Sequence, residues 1–432
     1  MDEQAHKVVI VGGGAGGLEL ASKLGRQFGP EHIFLVDNAS DHIWKPSLHE
    51  VAAGTLDIHR EGLSYAMMAK DNGYTFIYGE MSGMDRDARL IRLNPVVDDN
   101  HVIFPARQVS YDTLVIAVGS RSNFFGTPGA SEFAVALDST QQAERFRKLF
   151  LRKLVIANNS PEPPDPLRIA IVGGGATGVE LAAELVEASH NIRYYGLDRF
   201  DPVHGVQIIL LEGADRILSA LPPKMSAAAE RLLRQRGIEV RTSVRVASVQ
   251  EKSLTDSNGG QYPCDICVWA AGIEAPSFLA TLGLEVNHLN QIIVDRRLRT
   301  DDPNIFALGD CAQVPWSKEG EYLPARAQVA HQQAKYLMPV LGARIRGAEV
   351  PAEPFRFKDY GSLVAVGHTR GVGSLMGVLS GKSWFVEGLV ARVMYMSLHL
   401  MHHLAVLGLV RTSVMAIGRL LLKRSAPRVK LH

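Results

Sequence analysis

An α/β fold with two doubly wound, parallel-sheet domains is predicted by one motif that occurs twice. Val8-Val9-Ile10-Val11-Gly12-Gly13-Gly14-Ala15-Gly16-Gly17 is an apolar run followed by G-x-G-x-x-G. Ile169-Ala170-Ile171-Val172-Gly173-Gly174-Gly175-Ala176-Thr177-Gly178 repeats it 161 positions later. The glycines allow a tight turn, close approach of backbone N–H groups to a pyrophosphate, and close packing of helix on strand. The helix N-terminus adds partial positive charge. One match is weak, because glycine-rich turns are common. Two matches in the same context predict two Rossmann-like dinucleotide-binding domains, as where a flavin accepts hydride from a nicotinamide.

Each element follows in order. The first unit has a strand at 7–11, a helix from about Gly14 to Phe28 and a strand at 33–37. That strand ends in Asp37, 20 positions after Gly17, where an acid hydrogen-bonds ribose hydroxyls. A loop, Asp41 to Glu50, precedes short alternating strands at about 74–115, and Thr113 to Val118 is a buried strand entering Gly119. Four prolines (161, 163, 164, 166) mark a linker. In the second unit Val206 to Leu211 is the acid-bearing strand, ending in Glu212, with an insertion around 191–205. Cys267 to Gly272 closes this unit much as Ile116 to Gly119 closes the first, and 301–310 is a further strand ending in Asp310. The order implies one domain inserted into another: 1–165 with 286–345, then 166–285, then a C-terminal part, 346–432.

The 432 residues, 46% hydrophobic and 21% charged, suit a globular protein of two or three domains. Net charge is +1 but unevenly placed: residues 388–432 carry seven Lys and Arg and no Asp or Glu, leaving −6 on the rest. This points to an anionic surface rather than to nucleic acid. The longest apolar stretch of the tail, Leu404–Val410, is far short of the ~18–20 residues of a spanning helix. Arg392, His399 and His403 share one helical face, with Val393, Leu398, Met401 and Leu404 elsewhere. Such amphipathic helices fit an interfacial membrane anchor, against packing on the protein or a dimer contact. His399, His402 and His403 read as interfacial or dimer-contact residues rather than zinc ligands, because no acid or Cys completes a set. Cys264 and Cys267 form a C-x-x-C within 262–269, which reads as one strand and would place the thiols on opposite faces. They are expected to be structural. The N-terminus enters a strand so early that no signal or transit peptide is expected.

These residues resemble type II NADH:quinone oxidoreductases, the single-subunit, non-pumping respiratory dehydrogenases of bacteria, from Lys7 to His432. The specific pieces are Lys45-Pro46-Ser47-Leu48-His49-Glu50-Val51-Ala52, the second glycine motif through Gly178-Val179-Glu180-Leu181, and Ala327-Gln328-Val329-Ala330-His331-Gln332. The resemblance implies a two-dinucleotide flavoprotein fold with non-covalent FAD, NADH as co-substrate and a membrane quinone as acceptor. A peripheral location on the cytoplasmic face of the inner membrane and a homodimer are expected.

On that basis Gly12, Gly14, Ala15, Gly16 and Gly17 hold the FAD pyrophosphate and Asp37 its ribose. Lys45, Met81 (through its backbone), Asp310, Ala327 and Gln328 complete the FAD site, with Asp310 open to a second reading as a helix N-cap. Gly173, Gly175, Gly178, Glu212 and Gly272 are assigned to NADH, and the acid at 212 disfavours a 2′-phosphate. Glu180, expected in the first helical turn, either stabilises the helix or, as the resemblance implies, orients NADH or relays protons. Gln328 and Gln332, four apart on one helical face, either meet solvent or bond quinone carbonyls, with Ala327 and Ala330 small enough for a flat ring to approach. Lys382 is placed at the quinone entrance. A disulfide reductase or sulfide:quinone oxidoreductase would need paired cysteines near the flavin, which are lacking between 1 and 263. A nucleotide-binding redox sensor would need neither the quinone motif nor the tail.

Overall fold

The computed structural model describes residues 5–159, 165–191, 205–316, 320–367, 370–376 and 383–422. Two five-stranded parallel sheets organise it. The first runs, edge to edge, Ile305–Ala307, Thr113–Ile116, Val8–Val11, Ile33–Asp37, Thr75–Tyr78. The second runs Ala134–Ala136, Ile266–Trp269, Leu167–Val172, Val206–Leu211, Glu239–Arg241. Val8, Val9 and Ile10, like Ile169, Ala170 and Ile171, have no exposed surface. Parallel strands covered on both faces are continuous apolar runs for this reason.

In each sheet the glycine-motif strand is central. Its own βαβ partner lies on one side, and the closing strand lies on the other, Thr113–Ile116 or Ile266–Trp269. The strand order therefore reverses between Val8–Val11 and Thr113–Ile116, and between Leu167–Val172 and Ile266–Trp269. Ligands of open α/β sheets bind at such reversals, beyond the carboxyl ends of the strands.

Ile305–Ala307 belongs to the first sheet, so the chain returns to that unit after building the second. Arg121–Ser122 pairs antiparallel with Ile273–Glu274 where the chain crosses between units. Two sequence expectations need correction. Residues up to 165 do not all belong to the first unit: Ala134–Ala136 is the edge of the second sheet, and the helix Thr140–Asn159 buries Phe146, Phe150 and Leu154 in the second core. Nor is 262–269 one strand. It breaks at Cys264 and Asp265, so Gln261–Pro263 joins an antiparallel sheet and Ile266–Trp269 the parallel one. Asp265 makes the corner: its N–H donates to Arg168 O (2.8 Å) and its Oδ2 accepts the Arg168 N–H (2.9 Å). Both cysteines are buried and free, and burial raises the Cys264 thiol to about 11 and the Cys267 thiol further still.

The C-terminal part is a three-stranded antiparallel sheet (Gly361–Ala365, Gly371–Met376, Ser383–Glu387) and two helices, Leu389–Leu407 and Leu409–Leu422. Gly408, with φ +80°, breaks them apart. The first tail helix turns its polar face inward: Tyr395, His402 and His403 are buried, and Arg392 pairs with Glu50 at 3.3 Å. Its other face exposes Leu389, Val390, Val393, Met396 and Met401, and the second helix exposes Leu409, Val410, Val414, Ile417 and Leu421. His402 and His403 accordingly pack within the molecule, and His399 is half-buried against Trp44. No described helix is long and apolar enough to cross a membrane, and no cluster of metal-ligating side chains occurs among the described residues.

Candidate dinucleotide sites and the wedge between them

The two glycine loops have the same geometry. A Cβ on Gly12 would lie 2.4 Å from the Ala117 carbonyl oxygen, and one on Gly173 would lie 2.6 Å from that of Ala270. A Cβ on Gly17 would fall 1.9 Å from Gly12 O, and one on Gly178 would fall 2.0 Å from Gly173 O. The outer glycines thus let the loop touch the closing strand and the helix touch the loop. Gly12 (φ +103°) and Gly173 (φ +109°) also need backbone conformations other residues avoid. The middle glycines differ in kind: around Gly14 and Gly175 a Cβ meets nothing within 4 Å. Open space in front of a helix N-terminus is the place a pyrophosphate needs, so both cradles fit a dinucleotide.

Each strand-end acid is tied to its loop in the same way. Gly13 N–H donates to Asp37 Oδ2 (2.6 Å) and Ala39 N–H to Oδ1 (2.8 Å). Gly174 N–H donates to Glu212 Oε2 (2.6 Å) and Ala214 N–H to Oε1 (2.7 Å). Each carboxylate oxygen retains a lone pair for a ribose hydroxyl. Burial pushes the Asp37 carboxyl up, against the pull of the Gly13 and Ala39 bonds.

At the first cradle, Lys45 Nζ donates to Ser120 O (2.5 Å), and Ser120 Oγ donates to Asp310 Oδ2 (2.8 Å). Asp310 lies inside the 3-10 turn Gly309–Cys311 and does not cap it. Gln333, fully buried, accepts the Gly309 N–H at 2.7 Å and so fixes that turn. Met81 is buried on an edge strand, Met81–Asp85, of a three-stranded sheet. Ser120 and Gln333 were not singled out from the sequence. Serine after a closing glycine and a third glutamine beside Gln332 were the available signals.

Residues 45–53 form a wedge between the units. The turn Lys45–Ser47 leads into the helix Leu48–Ala53, whose Leu48, Val51 and Ala52 enter the second core. Lys45 reaches the Asp310 cluster, Glu50 reaches Arg392 of the tail, and His49 Nδ1 lies 3.6 Å from Glu180 Oε2. Glu180 is buried and accepts the Ala365 N–H at 3.0 Å. Burial raises its carboxyl above the ordinary range, with His49 opposing. It is the fifth residue of the helix Ala176–Asn191, not in the first turn, so helix-dipole stabilisation is not its explanation.

Gln328 and Gln332 lie on the helix Ala327–Ile345, but their amides are not free. Gln328 Nε2 donates to Gly361 O (3.0 Å) and Asp359 Oδ1 (3.3 Å). Gln332 Nε2 donates to Lys358 O (2.9 Å), and its Oε1 accepts Lys358 N–H (3.0 Å). The i, i+4 spacing that aligns two amides also matches an extended backbone running alongside. Ala330 is small for another reason: a Cβ on Gly16 would lie 3.3 Å from its Cβ, so the residue lets this helix approach the first nucleotide helix. Gly272 has φ +66° and lies against the Phe125 ring. Lys382 lies outside the described residues.

Residues 6–334 match the pyridine nucleotide-disulphide oxidoreductase family. A type II NADH:quinone oxidoreductase of Haemophilus influenzae is 37% identical over 98% of this chain and 99% of its own length. The Mycobacterium tuberculosis type II NADH:quinone oxidoreductase NdhA is 28% identical over 90% of this chain and 84% of its own. The structure of NDH2 from Plasmodium falciparum in complex with NADH has a TM-score of 0.82 at 20% identity, covering 99% of this chain and 100% of that one, so the fold is shared. A twinned glycine cradle, a motif wedge between the cradles and a full-length relative at this identity place the chain in the type II NADH:quinone oxidoreductases of the pyridine nucleotide-disulphide oxidoreductase family.

Proposed function

We propose that this protein is a peripheral membrane oxidoreductase that binds FAD in the first cradle and NADH in the second, and reduces a membrane quinone without pumping protons. The observation that carries this reading is the open space at both Gly14 and Gly175, each before a helix N-terminus and beside a strand-end acid. FAD, when bound, supplies the redox chemistry, taking hydride from NADH and passing two electrons onward. Gly12 to Gly17 hold its pyrophosphate, Asp37 its adenosine ribose, and Lys45 and Asp310 its other end. Glu212 selects NADH by accepting from the ribose hydroxyls and repelling a 2′-phosphate.

Quinone reduction consumes two protons, one from the hydride donor's reaction balance and one from solvent. Glu180, buried and opposite His49, is placed to hold a proton near the meeting of the units. Gln328 receives the quinone by exchanging its bond to Gly361 O for one to a quinone carbonyl. Cysteine redox chemistry is not favoured: Cys311 is buried, bonds the Ile116 and Leu308 carbonyls and is pushed up to about 12 by burial, away from the thiolate a disulfide exchange needs. The outward apolar faces of the tail helices support membrane attachment, which we assign to the cytoplasmic face of a bacterial inner membrane.

The test is stopped-flow spectroscopy of FAD-loaded protein. NADH should bleach the flavin, and a short-chain quinone should restore its colour. Gln328→Ala should keep the first phase and slow the second; normal reoxidation would remove the quinone role of Gln328, and no bleaching would remove the function.

A further inference from the structure

We propose that Phe125 is the platform against which the nicotinamide ring of NADH is seated, a role that rests on the second cradle's being the NADH site. Glu212 takes the adenosine side of the crevice, on the Val206–Leu211 flank. The other half of the dinucleotide must then cross the strand-order reversal to the Ile266–Trp269 flank, where Ala270, Ala271 and Gly272 leave the sheet. Phe125 stands there. A Cβ built on Gly272 would lie 2.2 Å from Phe125 Cζ, so only glycine lets the ring lie so close to this backbone.

The ring is held there at a cost. Phe125 has φ +52°, a left-handed conformation that bulky residues rarely adopt and that persists only where neighbours enforce it. Asn123 enforces it: its Oδ1 accepts the Phe125 N–H (2.7 Å), its own N–H donates to Gly272 O (3.3 Å), and its carbonyl accepts Trp269 Nε1 (2.8 Å). The adjacent Phe124 is used differently, packed on Trp269 with ring centroids 5.8 Å apart. Phe125 contributes nothing comparable to a core and is 62% exposed. A large aromatic side chain is thus held in a strained backbone, exposed and against the Gly272 backbone at the end of the closing strand.

Its place in the chain fits the same role. It follows Arg121–Ser122, the strand that crosses between the units, and lies five positions after Ser120, which bonds Asp310 in the first site. Phe125 therefore lies on the short segment that joins the first cradle to the closing strand of the second. Flat aromatic pairs prefer offset stacking or edge-to-face contact, and a small aliphatic residue offers neither.

The experiment compares Phe125→Ala, Phe125→Leu and Phe125→Tyr in FAD-loaded protein, reading NADH-dependent flavin reduction, KM for NADH and for quinone, and inhibition by ADP-ribose, which lacks the nicotinamide. Phe125→Ala and Phe125→Leu are expected to raise KM for NADH about tenfold, while Phe125→Tyr stays within about twofold of the parent. Inhibition by ADP-ribose and KM for quinone should not change in any variant. An unchanged KM for NADH in Phe125→Ala overturns the platform, as does equal weakening of NADH and ADP-ribose, or a leucine that serves as well as tyrosine. Parent protein that fails to reduce its flavin removes the function itself and the platform with it, whereas an active parent with normal variants removes the platform alone.

Discussion

His42 Nε2 and His402 Nε2 lie 2.8 Å apart, a buried contact that joins the first tail helix to the first glycine loop. His42 Nδ1 is 3.0 Å from Gly13 O, which also accepts the Tyr65 hydroxyl at 2.7 Å, while Gly13 N–H donates to Asp37. Both polar atoms of Gly13 are thereby fixed. Because a carbonyl only accepts, His42 carries its proton on Nδ1, so Nε2 accepts and His402 Nε2 donates. The tail helix is held again one turn on, at its C-terminal end, where Arg26 donates to Val406 O (3.1 Å) and Ala405 O (3.0 Å). Removing the donor with His402→Phe leaves His42 Nε2 buried and unpaired, at a cost of ~1–3 kcal/mol. FAD retention through gel filtration should fall in this variant, and a variant that keeps its flavin as the parent does would show that loop and tail are independent.

The same cluster makes tail docking sensitive to acid. Burial lowers His42 to about 4 and His399 to about 3, and lowers His402 and His403 as well. A histidine whose folded value lies below 6.5 adds stability that is complete above about pH 6.5 and is lost as pH falls toward 4, because only the unfolded or undocked chain binds the proton there. Glu61 lines the same pocket and His331 faces His402, while Tyr65 and Tyr395 are shifted upward by burial and stay neutral through this range. Trp44 lies 4.9 Å from the His399 ring and reports the contact. Its fluorescence should change between pH 6.5 and 4, and Trp44→Phe should abolish the transition.

Glu180→Gln tests a buried carboxyl whose proton is held by its surroundings. The amide oxygen can still accept the Ala365 N–H, so the fold should survive. For an acid raised by burial, folding loses stability as pH rises from the unfolded value of 4.5 through the folded one. The variant lacks that loss and should melt at a higher temperature than the parent at pH 8. Turnover should fall by about a hundredfold if Glu180 moves a proton in the slow step. Equal melting with equal turnover would leave Glu180 a passive link to Ala365.

What could be read in the sequence is what depends on short, rigid spacing. Both cradles, Asp37, Glu212 and the closing strands were legible because three glycines and an acid at fixed intervals admit few other backbones. The tail showed two faces but not which one meets the body, since Arg392 and the histidines look solvent-facing until Glu50, His42 and Trp44 are seen opposite them. Gln328 and Gln332 were located on one helical face, yet their partners at 358–361 lie across a turn that spacing does not encode. The three-residue strand Ala134–Ala136 is too short to carry a period of its own, so nothing in its spacing ties it to the second unit. Phe125 was invisible for a different reason: a left-handed phenylalanine has no compositional signature.

The inward polar face of the tail makes a specific claim about membrane attachment. If the described helices presented basic side chains to lipid headgroups, binding would weaken steeply with salt. Arg392 instead pairs with Glu50 and Arg411 with Asp71, while Leu409, Val410, Val414, Ile417 and Leu421 face outward. Apolar burial is not screened by salt, and each such side chain contributes ~1.5–3 kcal/mol when fully covered. The double variant Val410→Ser with Val414→Ser should therefore weaken sedimentation with phospholipid vesicles at least about tenfold, at low and high salt alike. NADH oxidation by a water-soluble acceptor should be unaffected, since neither residue lies near the cradles. Undiminished vesicle binding in this variant would assign the apolar face to another occupant, such as a second copy of the chain, and sedimentation equilibrium of parent and variant would then show which.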